Sequence, residues 1–317
     1  MELIRGVHNL RPRHRGCVAT IGNFDGVHLG HQAVLGQLTQ KADELSLPAT
    51  VMTFEPQPQE FFVPEQAPPR LTRFREKLQA LRRYGVDRVL CVRFDRRFAA
   101  QSAQQFVDRL LLDGLGVRYL VVGDDFRFGQ GRSGDFAMLQ EAGRRHGFQV
   151  VNMHTFSLDG ERVSSTRVRQ ALAAGDLGQA DKLLGRPYRM SGRVAHGFKR
   201  GRSIGFPTAN IHLHRTATPI HGVYAVEVFG LEQEPLAAVA NVGNRPTVDG
   251  TRSLLEVHLF DFDRDIYGRH VQVEFKHWQR AERRFESFDA LKQQIELDAT
   301  AAREYFARAW SGADAGR

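Results

Sequence analysis

The sequence predicts an α/β fold in which a parallel sheet with helices on both faces is followed by an antiparallel barrel or sandwich and a long terminal helix. From Cys17 to about Thr155, short apolar runs alternate with amphipathic helical periodicity. Beyond Gly185, apolar runs follow one another with no helical pattern between them. With a length of 317 residues, we therefore expect two domains, residues 1–184 and 185–317.

The first domain should contain five strands, because five apolar runs are each bounded by turn residues. Helical periodicity separates them near His28–Ser46, Arg70–Tyr84, Ala103–Leu112 and Phe136–His146. The expected strands are Cys17–Ile21, Ala49–Phe54, Arg88–Val92, Tyr119–Val122 and Gln149–Met153. Ligands bind beyond the carboxyl ends of such strands, so motifs at those ends are candidate sites.

In the second domain, the end of the chain should be helical. An amphipathic stretch from Phe288 to about Trp310 follows Ser287, a favourable helix cap, and the tail Ser311–Arg317 is expected to be disordered. The expected strands of this domain lie at Val194, Val223–Val228, Leu236–Val242, Leu254–Phe260 and Val271–Phe275.

Composition predicts a folded cytoplasmic protein. The chain is 42% hydrophobic and 25% charged. It lacks a run of about 18 apolar residues, and its basic N-terminus has no apolar signal segment, so we expect neither membrane insertion nor secretion. Cys17 and Cys91 lie in strand-like runs, which indicates reduced, buried thiols.

The net charge of +8 does not require a nucleic-acid partner, because the excess is spread over both halves of the chain. The densest cluster, Arg70–Arg97, alternates with apolar residues, which favours a solvated face over an RNA-binding stripe. We expect a monomer or weak homo-oligomer that binds small molecules.

The segment Thr20–His31 is the first candidate site. It follows an apolar strand, is rich in glycine, and leads into a helix with His28 and His31 on one face. Unpaired N–H groups and the dipole at a helix start favour phosphate. From spacing alone, the two histidines could equally be a metal-ligand pair or solvated surface residues.

Three further segments can contribute to the same site. The loops Phe54–Pro58 and Gly123–Gly129 follow strands, although Pro and Gly also occur in plain turns. Arg162–Arg169 combines Ser164, Ser165 and Thr166 with three arginines at a helix start, which indicates either caps or a second anion site.

The match to G-x-G-x-x-G at Gly129–Gly134 is not a dinucleotide fingerprint. That fingerprint should open the first helix and be followed by an acidic strand end, whereas the next strand here ends Asn152-Met153-His154. We therefore exclude NAD binding at this segment.

Another glycine-rich segment, Gly192–Asn210, lies in the second domain. Gly197, Gly201 and Gly205 alternate with basic residues that include Lys199, which favours a flexible loop around polyphosphate or, alternatively, a mobile hairpin. It is not a P-loop, because Phe198 follows Gly197 and no strand-to-helix context surrounds it.

Taken in order, these motifs resemble the bacterial bifunctional riboflavin kinase and FMN adenylyltransferase family, the FAD synthetases. The resemblance covers nearly the whole chain and implies a Rossmann-like nucleotidyltransferase domain followed by a six-stranded riboflavin kinase barrel. The motifs are Gly22–His31, Phe54–Pro58, Gly123–Gly129, Ser164–Arg169, Gly205–Asn210, Asn241–Thr247 and Glu256–Phe262.

For the second domain, the resemblance implies transfer of the γ-phosphate of ATP to the ribityl hydroxyl of riboflavin. An alcohol is a poor nucleophile at neutral pH, and Glu256 matches the family's carboxylate base. Thr208 and Asn210 match the residues that hold Mg²⁺-ATP, and the loop with Gly197, Lys199 and Gly201 would close over the phosphates. Glu256 could alternatively be a surface acid on an edge strand.

For the first domain, the resemblance implies adenylylation of FMN with release of pyrophosphate. The FMN phosphate is already ionised, so positioning and charge neutralisation are needed rather than a base. Matching residues at the nucleotide are Gly22, Asn23, Phe24, Asp25, His28, His31, Asp125, Arg162, Ser164, Ser165, Thr166 and Arg169, of which His28, His31 and Arg169 are expected to act on the phosphates. Those at the flavin are Pro56, Pro58, Phe62 and Phe128.

Two other functions are also compatible with parts of the sequence. A single active module would leave one motif set degenerate, yet Thr208, Asn210 and Glu256 are intact. A flavin sensor or RNA-binding barrel should interleave aromatic residues with a one-sided basic groove, a pattern that the sequence does not show.

Overall fold

Six parallel strands form the sheet of the first compact unit, Met1–Pro68 and Thr72–Ser165, in the computed structural model. The structure describes residues 1–153, 155–195, 206–215, 217–247 and 250–314. The strands are β1 (Glu2–Arg5), β2 (Cys17–Ile21), β3 (Ala49–Glu55), β4 (Arg88–Arg93), β5 (Val117–Gly123) and β6 (Gln149–Met153). Their order is β1-β4-β3-β2-β5-β6, and all neighbouring pairs are parallel.

The five strands expected from sequence are confirmed, and the sheet has one more. Strand β1 lies at the edge beside β4, where only Ile4 is buried. Its short Glu-Leu-Ile-Arg pattern resembles a charged chain terminus more than a core strand, which explains why periodicity missed it.

Helices cover both faces of this sheet, as predicted. They are α1 (Leu29–Leu45), α2 (Pro58–Phe62), α3 (Phe74–Arg83), α4 (Arg96–Ala99), α5 (Ala103–Phe106, continued by a π-helical segment Val107–Gly114) and α6 (Phe136–His146). A short hairpin of β7 (Ser157–Leu158) and β8 (Glu161–Arg162) follows.

The alternation of side chains along β2 divides the core into two layers. Cys17, Ala19 and Ile21 pack with residues of α5 and α6, whereas Val18 packs with Leu35 and other residues of α1 and α3. Burial of one such leucine contributes about 1.5–3 kcal/mol. Both faces of β2 are therefore apolar, which is why its sequence reads as a continuous hydrophobic run.

The second compact unit, Pro69–Leu71 and Thr166–Arg317, contains a closed antiparallel barrel. Its helices are α7 (Ser165–Ala173), which starts at the last residue of the first unit, α8 (Leu177–Leu184) and α9 (Phe288–Asp314). Its strands are β9 (Arg189–Ala195), β10 (Ala209–His212), β11 (Gly222–Phe229), β12 (Leu236–Thr247), β13 (Gly250–Leu259) and β14 (His270–Arg280). The order around the barrel is β10-β13-β12-β11-β14-β9, so the six-stranded barrel is confirmed.

Helix α9 packs on the outside of the barrel. Its residues Ala299, Ala302 and Phe306 cluster with Val223 and Ala225 of β11, whereas Tyr224, between those two, packs edge-on against Phe275. Ser287 caps the helix as expected, since its Oγ accepts a hydrogen bond from the N–H of Ala290 at 3.1 Å. The helix ends at Asp314 and so extends into the tail expected to be disordered; that stretch holds no proline to stop it.

The expected domain boundary near Gly185 stays a prediction. Both cysteines are free, and burial raises the pKa of the Cys17 thiol to about 11. Cys91 is only partly buried, near the edge strand β1, which differs from the expectation. Among the described residues, none of the helices has both the length and the hydrophobicity of a membrane-spanning segment.

Candidate active sites

The loop between β2 and α1 lies at the point where the strand order of the sheet reverses. Strand β2 is flanked by β3 on one side and by β5 on the other, and the chain winds outward from this point both ways. Such a switch point opens a crevice beyond the carboxyl ends of the strands. The segment Gly22–His31 therefore begins at the place where α/β proteins bind nucleotides.

The backbone of this loop is unusual. Phe24, Gly26 and Val27 have positive φ angles of 49°, 83° and 44°. A β-branched residue such as Val27 rarely adopts this conformation, and such outliers persist only where the surroundings enforce them. The surrounding residues therefore hold this loop in a strained conformation that an ordinary turn does not need.

His28 and His31 lie together at the start of α1. His28 is the N-cap residue, and its Nδ1 accepts a hydrogen bond from the backbone N–H of His31 at 3.3 Å. Their rings stack with centroids 3.7 Å apart. Gly30 lies between them, where a Cβ would be only 3.3 Å from both the His28 ring and the carbonyl oxygen of Val163.

His31 is held in its neutral form. Burial of the ring lowers its pKa well below the usual value, and the charges of His28 and Lys77 lower it further. A neutral imidazole can contact phosphate by donating a hydrogen bond but carries no positive charge. The expected action of His31 on the phosphates would then be hydrogen-bond donation. Within the described ranges, no group of three or more His, Cys, Asp or Glu side chains could hold a metal ion.

Asp25 faces the protein rather than the crevice. The residue is 2% exposed, and its Oδ1 accepts hydrogen bonds from the N–H and the hydroxyl of Thr72, at 2.9 and 3.1 Å. Its backbone oxygen accepts a hydrogen bond from the Ser165 hydroxyl at 2.9 Å. Two residues expected at ATP, Asp25 and Ser165, are therefore joined to each other. In this unit Ser164 is half-buried, and the carbonyl of Asn23 lies 3.5 Å from the Thr53 hydroxyl.

The loop after β5 contains an exposed ion pair. Arg162 of β8 donates to Asp125 at 2.7 Å, and both side chains are solvent-accessible. The structure thus brings together two residues that were expected to orient ATP.

The predicted flavin residues Phe62 and Phe128 belong to one row of aromatic rings. Phe62, the last residue of α2, is 61% exposed, and its ring centroid lies 5.6 Å from that of Phe94. Phe128 is only 6% exposed, which leaves Phe62 as the accessible ring of the predicted pair. The rings between them, which sequence reasoning missed, are Phe94, Phe98 and Phe106.

The glycines of Gly129–Gly134 serve local packing. A Cβ on Gly129 would lie 2.5 Å from the backbone nitrogen of Ala103, and one on Gly134 would lie 2.6 Å from the Phe128 ring. The segment follows β5 and does not open the first helix, in agreement with the rejection of a dinucleotide fingerprint.

Two residues of the first unit were missed by sequence reasoning. Thr72 binds Asp25, as described above, and Lys77 on α3 is fully buried. The interpretation of Arg70–Arg97 as a solvated face is therefore wrong for Lys77. Its spacing of four residues from the buried Leu81 was the available signal, because positions i and i+4 share a helix face.

Thr166 and Arg169 belong to the second unit, on α7. Arg169 donates through Nε to the carbonyl oxygen of Pro69 at 2.7 Å, so part of its guanidinium holds the short segment Pro69–Leu71. The expected action of Arg169 on the phosphates stays a prediction.

A cavity of about 360 Å³ opens on the barrel beside the Thr-Ala-Asn motif. Thr208 and Asn210 line it together with Asp263 and Tyr267. Hydroxyl, amide and carboxylate oxygens are the ligands that Mg²⁺ prefers, so these side chains fit a magnesium-nucleotide complex. The kinase-loop residues Gly197, Lys199 and Gly201 lie outside the described residues.

Glu256 is the strand partner of Asn210, one of the residues that line this cavity. In the antiparallel ladder it is paired with Asn210 of β10 on one side and with Asn241 of β12 on the other. Directly paired residues project to the same face of a sheet, so the three side chains form one row. Asn241 in turn donates to Glu282 at 3.2 Å.

Comparisons with known proteins give a family match for each of the two units. Two family models match, FAD synthetase over residues 10–167 and riboflavin kinase over residues 184–306. The bifunctional riboflavin kinase/FMN adenylyltransferase of Escherichia coli (strain K12) is 57% identical over 96% of this chain and 98% of its own length. The protein of the same name from Haemophilus influenzae is 55% identical over 96% and 99%.

A solved structure has the same fold. It is named a macrolide-efflux protein from Streptococcus pneumoniae, has 32% sequence identity and a TM-score of 0.80, and covers 96% of this chain and 99% of its own. The two family models match in the same order as the two units, and relatives with more than 50% sequence identity match over nearly the whole chain. The chain therefore belongs to the family of bifunctional riboflavin kinase/FMN adenylyltransferases.

Proposed function

We propose that the chain makes FAD from riboflavin in two ATP-dependent steps, each with its own site. The second unit phosphorylates riboflavin to FMN, and the first transfers AMP from ATP to FMN and releases pyrophosphate. The observation that carries the proposal is the order of the two family matches, since each matched segment contains one of the two candidate sites. Macrolide efflux, after which the similar solved structure is named, is not proposed for this chain, because the more similar relatives bear the flavin names.

In the kinase, Glu256 is the proposed general base. The support for this role is its strand pairing with Asn210, which lines the cavity together with Thr208. A carboxylate there can take the proton from the ribityl hydroxyl as the γ-phosphorus is attacked. Mg²⁺, held by Thr208 and Asn210, would neutralise charge on the ATP phosphates.

In the adenylyltransferase, the loop Gly22–His31 is the proposed triphosphate site. The start of α1 presents backbone N–H groups and a favourable dipole, and neutral His31 can donate a hydrogen bond to a phosphate oxygen. No general base is assigned, because the attacking FMN phosphate is already ionised. Catalysis then depends on in-line positioning and on donors aimed at the phosphates.

The remaining assignments come from the sequence motifs. Arg162 and Asp125 are proposed to orient ATP, and exposed Phe62, with Pro56 and Pro58, to hold the flavin ring. The roles of Thr166 and Arg169 at the nucleotide, and of the segment with Gly197, Lys199 and Gly201 over the kinase phosphates, stay predictions from sequence. The cytoplasmic location and the monomer or weak homo-oligomer also stay predictions.

Incubation of the protein with riboflavin, ATP and Mg²⁺, followed by chromatographic separation of flavins, tests the proposal. Accumulation of FAD is the expected result. Accumulation of FMN alone would show that the first unit is silent, and unchanged riboflavin would contradict both activities.

A further inference from the structure

Thr72, which lies in none of the motifs above, forms three hydrogen bonds with Asp25 and Gly26 of the proposed triphosphate loop. Its N–H and hydroxyl both donate to Oδ1 of Asp25, at 2.9 and 3.1 Å. The same hydroxyl oxygen accepts a hydrogen bond from the N–H of Gly26 at 3.0 Å. One threonine thus holds two successive loop residues at three points.

These two residues occupy the most constrained part of the loop. Asp25 and Gly26 lie between Phe24 and Val27, both of which have positive φ angles. L-residues adopt this conformation only where their surroundings enforce it. The contacts from Thr72 fall on the residues between the two outliers, where they can enforce it.

The geometry of the loop determines where the histidines lie. Val27 leads directly into His28, whose side chain caps α1 and stacks on His31. If residues 24–27 relaxed toward ordinary φ angles, the cap and the first N–H groups of the helix would move with them. A displacement on the order of 1 Å at such a site can cost about 100-fold in rate.

We infer that Thr72 is a positioning residue for the adenylylation of FMN, acting through Asp25 and Gly26 on the loop that leads to His28. The inference rests on the proposed triphosphate site. Thr72 need not touch substrate, and its side-chain hydroxyl, rather than its volume, carries the effect. Asp25 is nearly inaccessible to solvent, so the hydroxyl cannot be replaced there by bulk water.

Two variants separate the hydroxyl from the shape of the side chain. Thr72→Val keeps the volume and the backbone N–H but removes the hydroxyl, whereas Thr72→Ser keeps the hydroxyl. In assays of FAD formation from FMN and ATP, Thr72→Val should lower kcat by roughly 10- to 100-fold. Thr72→Ser should restore most of the rate, and KM for ATP should change much less than kcat.

Phosphorylation of riboflavin by the same preparations is the internal control and should be unchanged. Wild-type kcat in Thr72→Val, or an equal loss in Thr72→Ser and Thr72→Val, would overturn the inference. If Thr72→Val does not fold, Thr72→Cys against Thr72→Ser gives the same comparison with one atom changed; equal rates would then contradict the role of the hydroxyl.

A His31→Ala variant distinguishes this inference from the site on which it rests. Loss of FAD formation in His31→Ala with a normal Thr72→Val would reject only the role of Thr72. Retention of FAD formation in His31→Ala would reject the proposed triphosphate site itself.

Discussion

The backbone N–H of His31 donates a hydrogen bond to Nδ1 of His28, and the two rings stack with centroids 3.7 Å apart. This arrangement joins a helix cap to the two histidines of the motif. Gly30, between the two histidines, leaves little room for a side chain, because a Cβ there would lie 3.3 Å from the His28 ring. The spacing of the motif therefore follows from packing as well as from chemistry.

Gly30→Ala should impair adenylylation without affecting riboflavin phosphorylation. Its new Cβ would lie 3.3 Å from both the His28 ring and the Val163 carbonyl, so the ring or the loop must shift. We expect FAD formation from FMN to fall by at least about tenfold, as for other misplaced catalytic groups. Steady-state assays of both reactions measure the effect.

Gly36→Ala on the same helix is the matched control. A Cβ at Gly36 has no atom within 4 Å, so the substitution should leave both activities intact and stabilise the helix by about 0.5–1 kcal/mol. Equal losses in the two variants would show that helix content, not the contact with His28, is responsible.

Removal of the Lys77 charge should raise the pKa of His31. Burial is the main cause of the lowered value, and the charges of His28 and Lys77 add to it. Lys77→Met, of similar length, should therefore move the His31 titration upward without restoring it to the ordinary range. An NMR titration of the imidazole resonances measures the change, and an unaltered midpoint would place Lys77 outside the electrostatic environment of His31.

Asp181 in α8 should make the second unit less stable as pH rises through the range from about 4 to 6. Burial and the charge of Glu274 raise the pKa of Asp181 to about 6, although Lys276, Arg186 and the Tyr188 N–H oppose this. Because its folded-state pKa exceeds that of the unfolded chain, the folded state binds more protons in this window, and stability falls as they dissociate.

Asp181→Asn tests this pH dependence while keeping an acceptor for the N–H of Tyr188. The variant should have a flatter dependence of the melting temperature on pH between about 4 and 6.5 and be more stable than the wild type near pH 7. Parallel curves for the two proteins would be inconsistent with a raised Asp181 pKa.

Arg280 and Asp298 should contribute strongly to the attachment of α9 to the barrel. Two hydrogen bonds, of 2.8 and 2.6 Å, join them, and the carboxylate is almost fully buried. Arg280→Ala leaves this carboxylate without its main partner, which should lower the free energy of unfolding by about 3 kcal/mol. Arg303, also on α9, forms an exposed pair with Asp261, a residue outside the helix, and Arg303→Ala should cost less than about 1 kcal/mol. Denaturant unfolding of both variants measures the difference.

The fold was accessible from sequence because its signals are local. Both faces of β2 are apolar, and the expected bounds of Cys17–Ile21 and Gln149–Met153 agree with the structure. The edge strand Glu2–Arg5 was missed, since a short segment paired on one side has little hydrophobic pattern to detect.

The sequence predicted the candidate sites only where a recognisable motif directly follows a predicted strand. That Asp25 faces Thr72, 47 residues away in the sequence, depends on tertiary contacts that periodicity cannot show. The same holds for Lys77, a charged residue buried on an apolar helix face, and for Phe128, which a loop motif marks but packing covers. The glycines at 129 and 134, which imitate a nucleotide fingerprint, are explained by close packing against Ala103 and Phe128.

The separation of the two activities by single substitutions tests the central claim most directly. Purified Glu256→Gln and His31→Ala proteins should each be assayed for riboflavin phosphorylation and for conversion of FMN to FAD. Glu256→Gln should lose the first activity and keep the second, and His31→Ala should do the reverse. Loss of both activities in either folded variant would contradict the assignment of two independent sites.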